Sequence, residues 1–284
     1  MNALIIVVIY NKKIQSSQTL NSLLHTFATD SHLLIFNNGP ESLELDDDIY
    51  KSLKDKFNNN IFIQEDLSNR PLSVLYNYAI NEHKGYSYYC LFDDDTNIPV
   101  DYFSEIETAR KQYPVDLMLP VIRSVSDDTV HYPLINGKPT DIKGIVSSDN
   151  IVFSIGSGLV IFDSLIKSFK SNNIKLFDER YAFYGVDFSL FRRIRVIQKN
   201  GCSVNISVVS SLSHSLAKTK KVKENWRKCE ITIDQALTTK FYGKTQFGIL
   251  FIIAKKILKL DFKNALLALK TYSTGCHPRS QKYM

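Results

Sequence analysis

Residues 86–99 constrain this chain most. An apolar, aromatic run over 86–92 leads straight into Asp93-Asp94-Asp95, and Pro99 then forbids further strand pairing. The run reads as a buried strand that pushes Asp93 and Asp95 out at its C-terminal tip. In open α/β sheets that tip is where ligands bind. Two carboxylates two residues apart suit a hard divalent cation, which takes oxygen donors and often shares a phosphate. An acidic surface loop has the same spelling, so the meaning of the triplet depends on the rest of the chain.

The flanking pattern alternates strand and helix. Residues 3–9 are β-branched and apolar, a strand buried on both faces. A polar turn follows at 10–13, and Ser16 or Ser17 can cap a helix. A second strand over 32–36 ends at Asn37-Asn38-Gly39-Pro40, a strong turn signal. Residues 41–57 read as a helix, 60–63 as a strand, and Pro71 opens a helix to about residue 83. A helix over 100–113 and a strand over 116–119 continue the series. The fold class expected is α/β, a parallel sheet with helices on both faces. No Gly-x-Gly-x-x-Gly follows the first strand, which argues against a dinucleotide oxidoreductase.

From 120 to 152 the pattern gives way to an irregular region with a hairpin. Gly156-Ser157-Gly158 then leads into a strand to Phe162. Its glycines either let backbone approach a ligand or bend the sheet. A helix over 163–171 precedes a loop at 176–180. Tyr184-Gly185-Val186-Asp187 opens another helix to 199, carrying Arg192, Arg193 and Arg195. A strand over 202–209 comes last, with His214 after it.

The 284 residues, 44% hydrophobic, make one large domain or two small ones. Cys90, Cys202, Cys229 and Cys276 lack metal-like spacing and suit a reducing cytosol. The N-terminus starts a strand without the basic flank and cleavage site of a signal peptide. The longest later apolar run, 247–254, is too short to span a bilayer. Charge is uneven. After His214 there are 15 Lys+Arg against 4 Asp+Glu, a net +11, while the rest has 20 against 25, a net −5. A basic tail on an acidic body points to an anionic partner for the tail.

Taken in order, these pieces resemble glycosyltransferase family 2, the inverting group with the GT-A fold, over about residues 3–215. Tyr10-Asn11 resembles that family's first nucleotide-contacting turn. Asn37-Asn38-Gly39-Pro40 resembles its Asp-Asn-Gly-Ser turn. Asn77 and Ala79 fit its Asn/Gly/Ala helix start, without the glycine. Phe92-Asp93-Asp94-Asp95-Thr96 resembles the metal-binding Asp-x-Asp in a form similar to bacterial rhamnosyltransferases. Gly156-Ser157-Gly158 matches the segment beside the acceptor. Phe177-Asp178-Glu179 and Gly185-Val186-Asp187, ahead of Arg192, match a Phe-Asp-Glu … Glu-Asp … Arg block, with Val186 where the family has Glu.

The resemblance implies a GT-A catalytic domain over 1–215, with a Rossmann-like mixed sheet flanked by helices, and a basic amphipathic helical extension over 216–284. It implies donor contacts at Tyr10, Asn11, Asn38, Asn77 and Asp93, and acceptor contacts at Gly156, Ser157 and Gly158. Asp95 would bind Mg²⁺ or Mn²⁺ directly, Asp93 would reach the ribose or the metal through water, and His214 is either a third ligand or structural. Asp187 would be the catalytic base, or simply an N-cap. The donor would be UDP-hexose or dTDP-rhamnose. The acceptor would be a saccharide, lipid-linked, in O-antigen (lipopolysaccharide) or capsule synthesis, with no nucleic-acid partner. A nucleotidyltransferase would also use paired carboxylates but carries a Gly-rich phosphate loop, absent here. A non-catalytic carbohydrate-binding relative would fit the loss of Glu at Val186.

The tail is the last feature. As one helix over 246–272, at about 100° per residue, Lys255, Lys256, Lys259, Lys263 and Lys270 fall within about 100° of arc. Either the lysines meet an anionic membrane surface, or the apolar face packs on the catalytic domain and the lysines stay solvated. Asp261 could cap a second helix and break the run.

Overall fold

The computed structural model describes residues 2–28, 30–215, 225–243, 245 and 247–284. Two compact units emerge from its contacts. One comprises 1–69, 79–174 and 194–219, and the other 70–78, 175–193 and 220–284.

The first unit is built on a mixed sheet. β1 (Ala3–Ile9) is buried along its whole length, as its unbroken β-branched run requires. It pairs in parallel with β2 (Ser31–Asn37) on one side and β4 (Tyr88–Asp93) on the other, and β3 (Ile61–Glu65) extends the sheet beyond β2. Val8 lies opposite Asp93, and Ile9 opposite Asn37. The register therefore gathers the segments that follow all three strands at one edge of the sheet.

β5 (Thr96–Asn97) follows the acidic turn, and β6 (Leu117–Ser124) comes after a helix over Tyr102–Gln112. β7 (Val130–Tyr132) folds back on β6. β8 (Leu134–Ile135), β9 (Lys138–Pro139) and β11 (Val152–Phe153) form a separate three-stranded sheet, turned at Asn136 and Gly137, both of positive φ. β10 (Gly144–Val146) lies antiparallel to β13 (Ile206–His214). The large sheet runs β10-β13-β6-β12-β4-β1-β2-β3, with β12 (Leu159–Phe162) antiparallel to both β4 and β6. The alternation alone suggests a parallel sheet, whereas the resemblance implies the mixed sheet that is found. β12 makes it mixed: the chain reaches it from β6 through the irregular segment of β7 to β11, not through a crossover helix, and it enters antiparallel to β4 and β6.

Helices flank the sheet. They are α1 (Gln18–Leu23), α2 (Asp48–Lys56), α3 (Leu72–Glu82), α4 (Tyr102–Gln112), α5 (Asp163–Ser171) and α6 (Val186–Lys199). Ser17 caps α1 by accepting from the Leu20 amide. The helix expected over 41–57 starts only at Asp48. Tertiary bonds hold the earlier residues: Asn37 Nδ2 donates to the Glu41 carbonyl at 2.7 Å, the Leu43 amide donates to Glu65, and Asp47 supplies the cap. The strand expected over 202–209 is β13, starting four residues later and running on through His214. β6, continuing past Pro120, gives it a parallel partner to the end.

The second unit contains α7 (Asn225–Tyr242), α8 (Gly248–Leu258) and α9 (Phe262–Thr274). The single helix expected over 246–272 is therefore two. Gln246 lies outside the described residues. Leu260 takes φ +55°, and Asp261 accepts from the Asn264 amide to cap α9. The three helices meet through small contacts: Ala236, Ile249 and Ala268 are buried, with Ile252, Ile253 and Tyr272 against them. Gly248 allows this closeness, because a Cβ there would lie 2.7 Å from Thr239 Cγ2.

Candidate metal centre

The acidic turn is held from beneath by hydroxyls. Thr19 Oγ1 donates to the Asp93 carbonyl at 2.5 Å and accepts from the Thr96 amide at 2.9 Å. Ser17 Oγ donates to the Asp94 carbonyl at 3.1 Å, and Ser22 accepts from the Ile98 amide. From the other side, fully buried Ser157 accepts from the Asp93 amide at 3.2 Å and meets Thr96 Oγ1 at 2.5 Å. These six hydrogen bonds hold the turn that carries three like charges.

Those charges then part ways. Asp94 turns aside to an ion pair with Lys12 at 2.5 Å. Asp93 and Asp95 converge on His214. Its Nε2 lies 3.4 Å from Asp93 Oδ2 and 3.2 Å from Asp95 Oδ1, and one ligand atom from each residue lies within 4.8 Å of the others. His214 reaches this point through two features of β13. A register shift between Val208 and Ser211, with Ser210 at φ +64°, bends the strand, and β5 then pairs with its end so that His214 faces Thr96. Burial pushes the Asp95 carboxyl above its ordinary range, only partly offset by the His214 imidazole, while Asp93 and Asp94 push it further up. A cation between these groups would supply the opposing charge. Two carboxylates and one imidazole are a donor set that Mg²⁺ or Mn²⁺ accepts, so the residues fit the expected ion.

Tyr10 and Asn11 follow β1 at the same edge. Tyr10 is half exposed, and Asn11 holds φ +51° with its amide donating to the Gly39 carbonyl at 2.7 Å. Asn38 is buried in the turn after β2, its Nδ2 directed at Asn69. Three expected residues are occupied with neighbours. Asn77 exchanges hydrogen bonds with the main chain of Phe177 and donates to Glu179, so its amide braces the Phe-Asp-Glu loop. Ser157 is spent on the acidic turn. Gly158, at φ +82°, would place a Cβ 2.3 Å from Leu212 and 2.6 Å from Pro120, so its bareness serves packing beneath β12. Gly156 is buried beside it.

In the second unit Asp187 is half-buried in the first turn of α6. Val186, where the family has Glu, is fully buried and belongs to the core. Gly185 precedes it at φ +82°, and a Cβ would fall 2.2 Å from Asp234 Oδ1. Asp178, which the sequence offered only as a loop carboxylate, is fully buried at the hub of a charged network. It receives Arg180 at 2.5 and 2.7 Å, Arg193 at 3.2 Å, and the Tyr242 hydroxyl at 2.6 Å. Burial alone would raise its pKa, but Arg180, Arg193 and Tyr242 outweigh that and hold it below the ordinary carboxylate range. The Arg180 and Arg193 partners give no periodic signal, and the supports at Thr19 and Ser22 read in sequence as ordinary helix residues.

Solved structures share this fold. Staphylococcus aureus TarS aligns at a TM-score of 0.58 and 14% identity, over 96% of this chain and 54% of that one. The fold is that of the GT-A glycosyltransferases. This chain spans about half of the whole TarS chain, but 93% of TarS 1–349 in complex with UDP-GlcNAc, at a TM-score of 0.54 and 13% identity over 98% of this chain. GalNAc-T7 with UDP, GalNAc and Mn²⁺ aligns at 0.55 and 11% identity, over 75% of this chain and 43% of that one. At such identities the likeness is one of fold. No family profile and no curated protein matches the sequence. No helix among the described residues is long and apolar enough to cross a membrane.

Proposed function

We propose that this GT-A chain is a metal-dependent, inverting glycosyltransferase. The observation that carries the reading is the meeting of Asp93, Asp95 and His214 at the strand-tip edge of the sheet. Neighbours solved with UDP-GlcNAc, and with UDP and Mn²⁺, support a nucleotide-sugar donor and a divalent ion. A UDP-hexose and a dTDP-rhamnose both fit the reading, with a lipid-linked saccharide of a bacterial surface polysaccharide as acceptor.

Asp95 binds the ion directly, and His214 completes the donor set. Its nitrogen favours Mn²⁺ over Mg²⁺, which prefers oxygen alone. When bound, the ion neutralises charge developing on the departing diphosphate. Asp93 would share the ion with Asp95 and His214 or reach the ribose. Tyr10, Asn11 and Asn38 frame the nucleotide. Asp187 takes the proton from the acceptor hydroxyl as that oxygen bonds to the anomeric carbon and the bond to the diphosphate breaks. Attack opposite the leaving group inverts the configuration. Any acceptor contact at Gly156 to Gly158 falls to main chain, because the Ser157 hydroxyl is engaged.

The test is hydrolysis and transfer over a panel of radiolabelled nucleotide sugars, with and without Mn²⁺. Turnover of at least one donor that is lost in EDTA is expected. Full activity in EDTA, or a product of retained configuration, would reject the reading. Asp187→Asn is expected to keep donor affinity and lower turnover by about 10²-fold or more, since only proton removal is lost. Lost donor affinity with unchanged turnover would remove Asp187 from that role.

A further inference from the structure

We propose that the outward face of α8 and α9 docks on an anionic lipid leaflet. This goes beyond sugar transfer and does not depend on it. An amphipathic helix packed on its own protein turns its large apolar side chains inward. Here large apolar side chains lie on both faces. The inward contacts of α8 are Ile249, Ile252 and Ile253 against Ala236, Ala268 and Tyr272. Its outward residues are just as large and apolar: Leu250, Phe251, Ile257 and Leu258 are exposed, Phe251 by 73% and Leu258 by 85%. At about 100° per residue these four span roughly 120° of one helix face.

The break between the helices continues the surface. Leu260 is 78% exposed and Phe262 61%, so Leu258, Leu260 and Phe262 make a crest at the turn. On α9, Leu266 and Leu269 are exposed on the same side as Phe262, while Asn264, Ala265 and Ala268 face inward. A run of large apolar side chains open to water over two helices marks a contact surface.

Charge identifies the partner. Lys255, Lys259, Lys263 and Lys270 are all exposed among these residues. Lys256 leaves the group, because it turns inward to Thr232 at 2.6 Å. Between 247 and 274 the one acidic residue is Asp261, already engaged by Asn264. The complement of such a face is apolar in its depth and anionic at its rim, as a phospholipid leaflet is. A second copy of this chain fits worse. A two-fold contact sets the same patch on both sides, lysine against lysine with no free carboxylate in the patch to relieve them.

Sedimentation of the full chain with vesicles, no nucleotide sugar being present, tests this. Binding to phosphatidylglycerol vesicles at low salt is expected, with little binding to pure phosphatidylcholine. Lys255→Glu with Lys259→Glu and Lys263→Glu should weaken it on the order of 10²-fold, from about fivefold for each cation lost near a negative leaflet. Leu258→Ser with Phe262→Ser keeps every charge in the chain and should also release the protein. Both sets lie on exposed side chains, and unchanged circular dichroism checks their folding. Protein that stays in the supernatant with phosphatidylglycerol at low salt overturns the proposal. So does binding that survives the crest variant, or a dimer in sedimentation equilibrium that the crest variant splits while vesicles bind nothing.

Discussion

Asp95→Asn is expected to abolish sugar transfer, by about 10³-fold or more, while the protein folds as before. The substitution keeps the size of the side chain and removes one negative charge from a donor set of three. Interactions with charge that develops only in the transition state are worth several kcal/mol, and an ion held here would supply one. Stability should not fall with activity, because burial and two neighbouring carboxylates already disfavour the Asp95 charge when no cation is near. A neutral amide relieves that strain. The comparison is Asp94→Asn, which breaks only the partly exposed pair with Lys12 and costs at most about 1 kcal/mol. Mn²⁺ titration calorimetry and transfer assays on both variants decide the matter. Asp95→Asn with normal Mn²⁺ affinity and normal turnover would remove the metal role.

Asp178→Asn is expected to act on stability. The carboxylate is the common partner of Arg180, Arg193 and Tyr242 in a fully buried position. Removing its charge leaves two guanidinium groups around a neutral amide, and breaking a buried pair in this way costs about 3–5 kcal/mol. Glu179→Gln is the contrast. Its partner Lys175 is mostly exposed, so the loss should stay below about 1 kcal/mol. Urea unfolding of the two variants separates them, and equal midpoints would mean that the network contributes little. The pH dependence has a definite sign. The native pKa of Asp178 is depressed, so its contribution is whole above the unfolded value of about 4 and is lost as pH falls through the lower native value. Wild type should therefore lose stability on acidification below pH ~4 more steeply than Asp178→Asn.

Much of the first unit was legible in the sequence. β1 and β4 follow from apolar runs too regular to be anything but buried strands, and the acids that end β4 could only emerge at its tip. Capping by Ser17 and the turn at Asn37 to Pro40 are local chemistry, settled by residues a few positions apart. Composition also held the charge imbalance of the tail, because a count of lysines needs no geometry.

What depended on distant partners was not legible. The resemblance offered His214 as a third ligand beside Asp95, but no residue near it shows how the two meet. A bulge in β13 and the pairing of β5 bring them together, and both are products of the whole sheet. The hydroxyl of Ser157 is drawn inward by a turn sixty residues earlier, and the first residues of the helix expected at 41–57 are claimed by Asn37 and Glu65. The tail shows the same division most plainly. Its periodicity marked an apolar face and a lysine stripe, but a pattern cannot say which face a helix presents to its own protein. That is decided by the fit of small residues, Ala236 and Ala268, against α8, which leaves the large side chains outside beside the lysines.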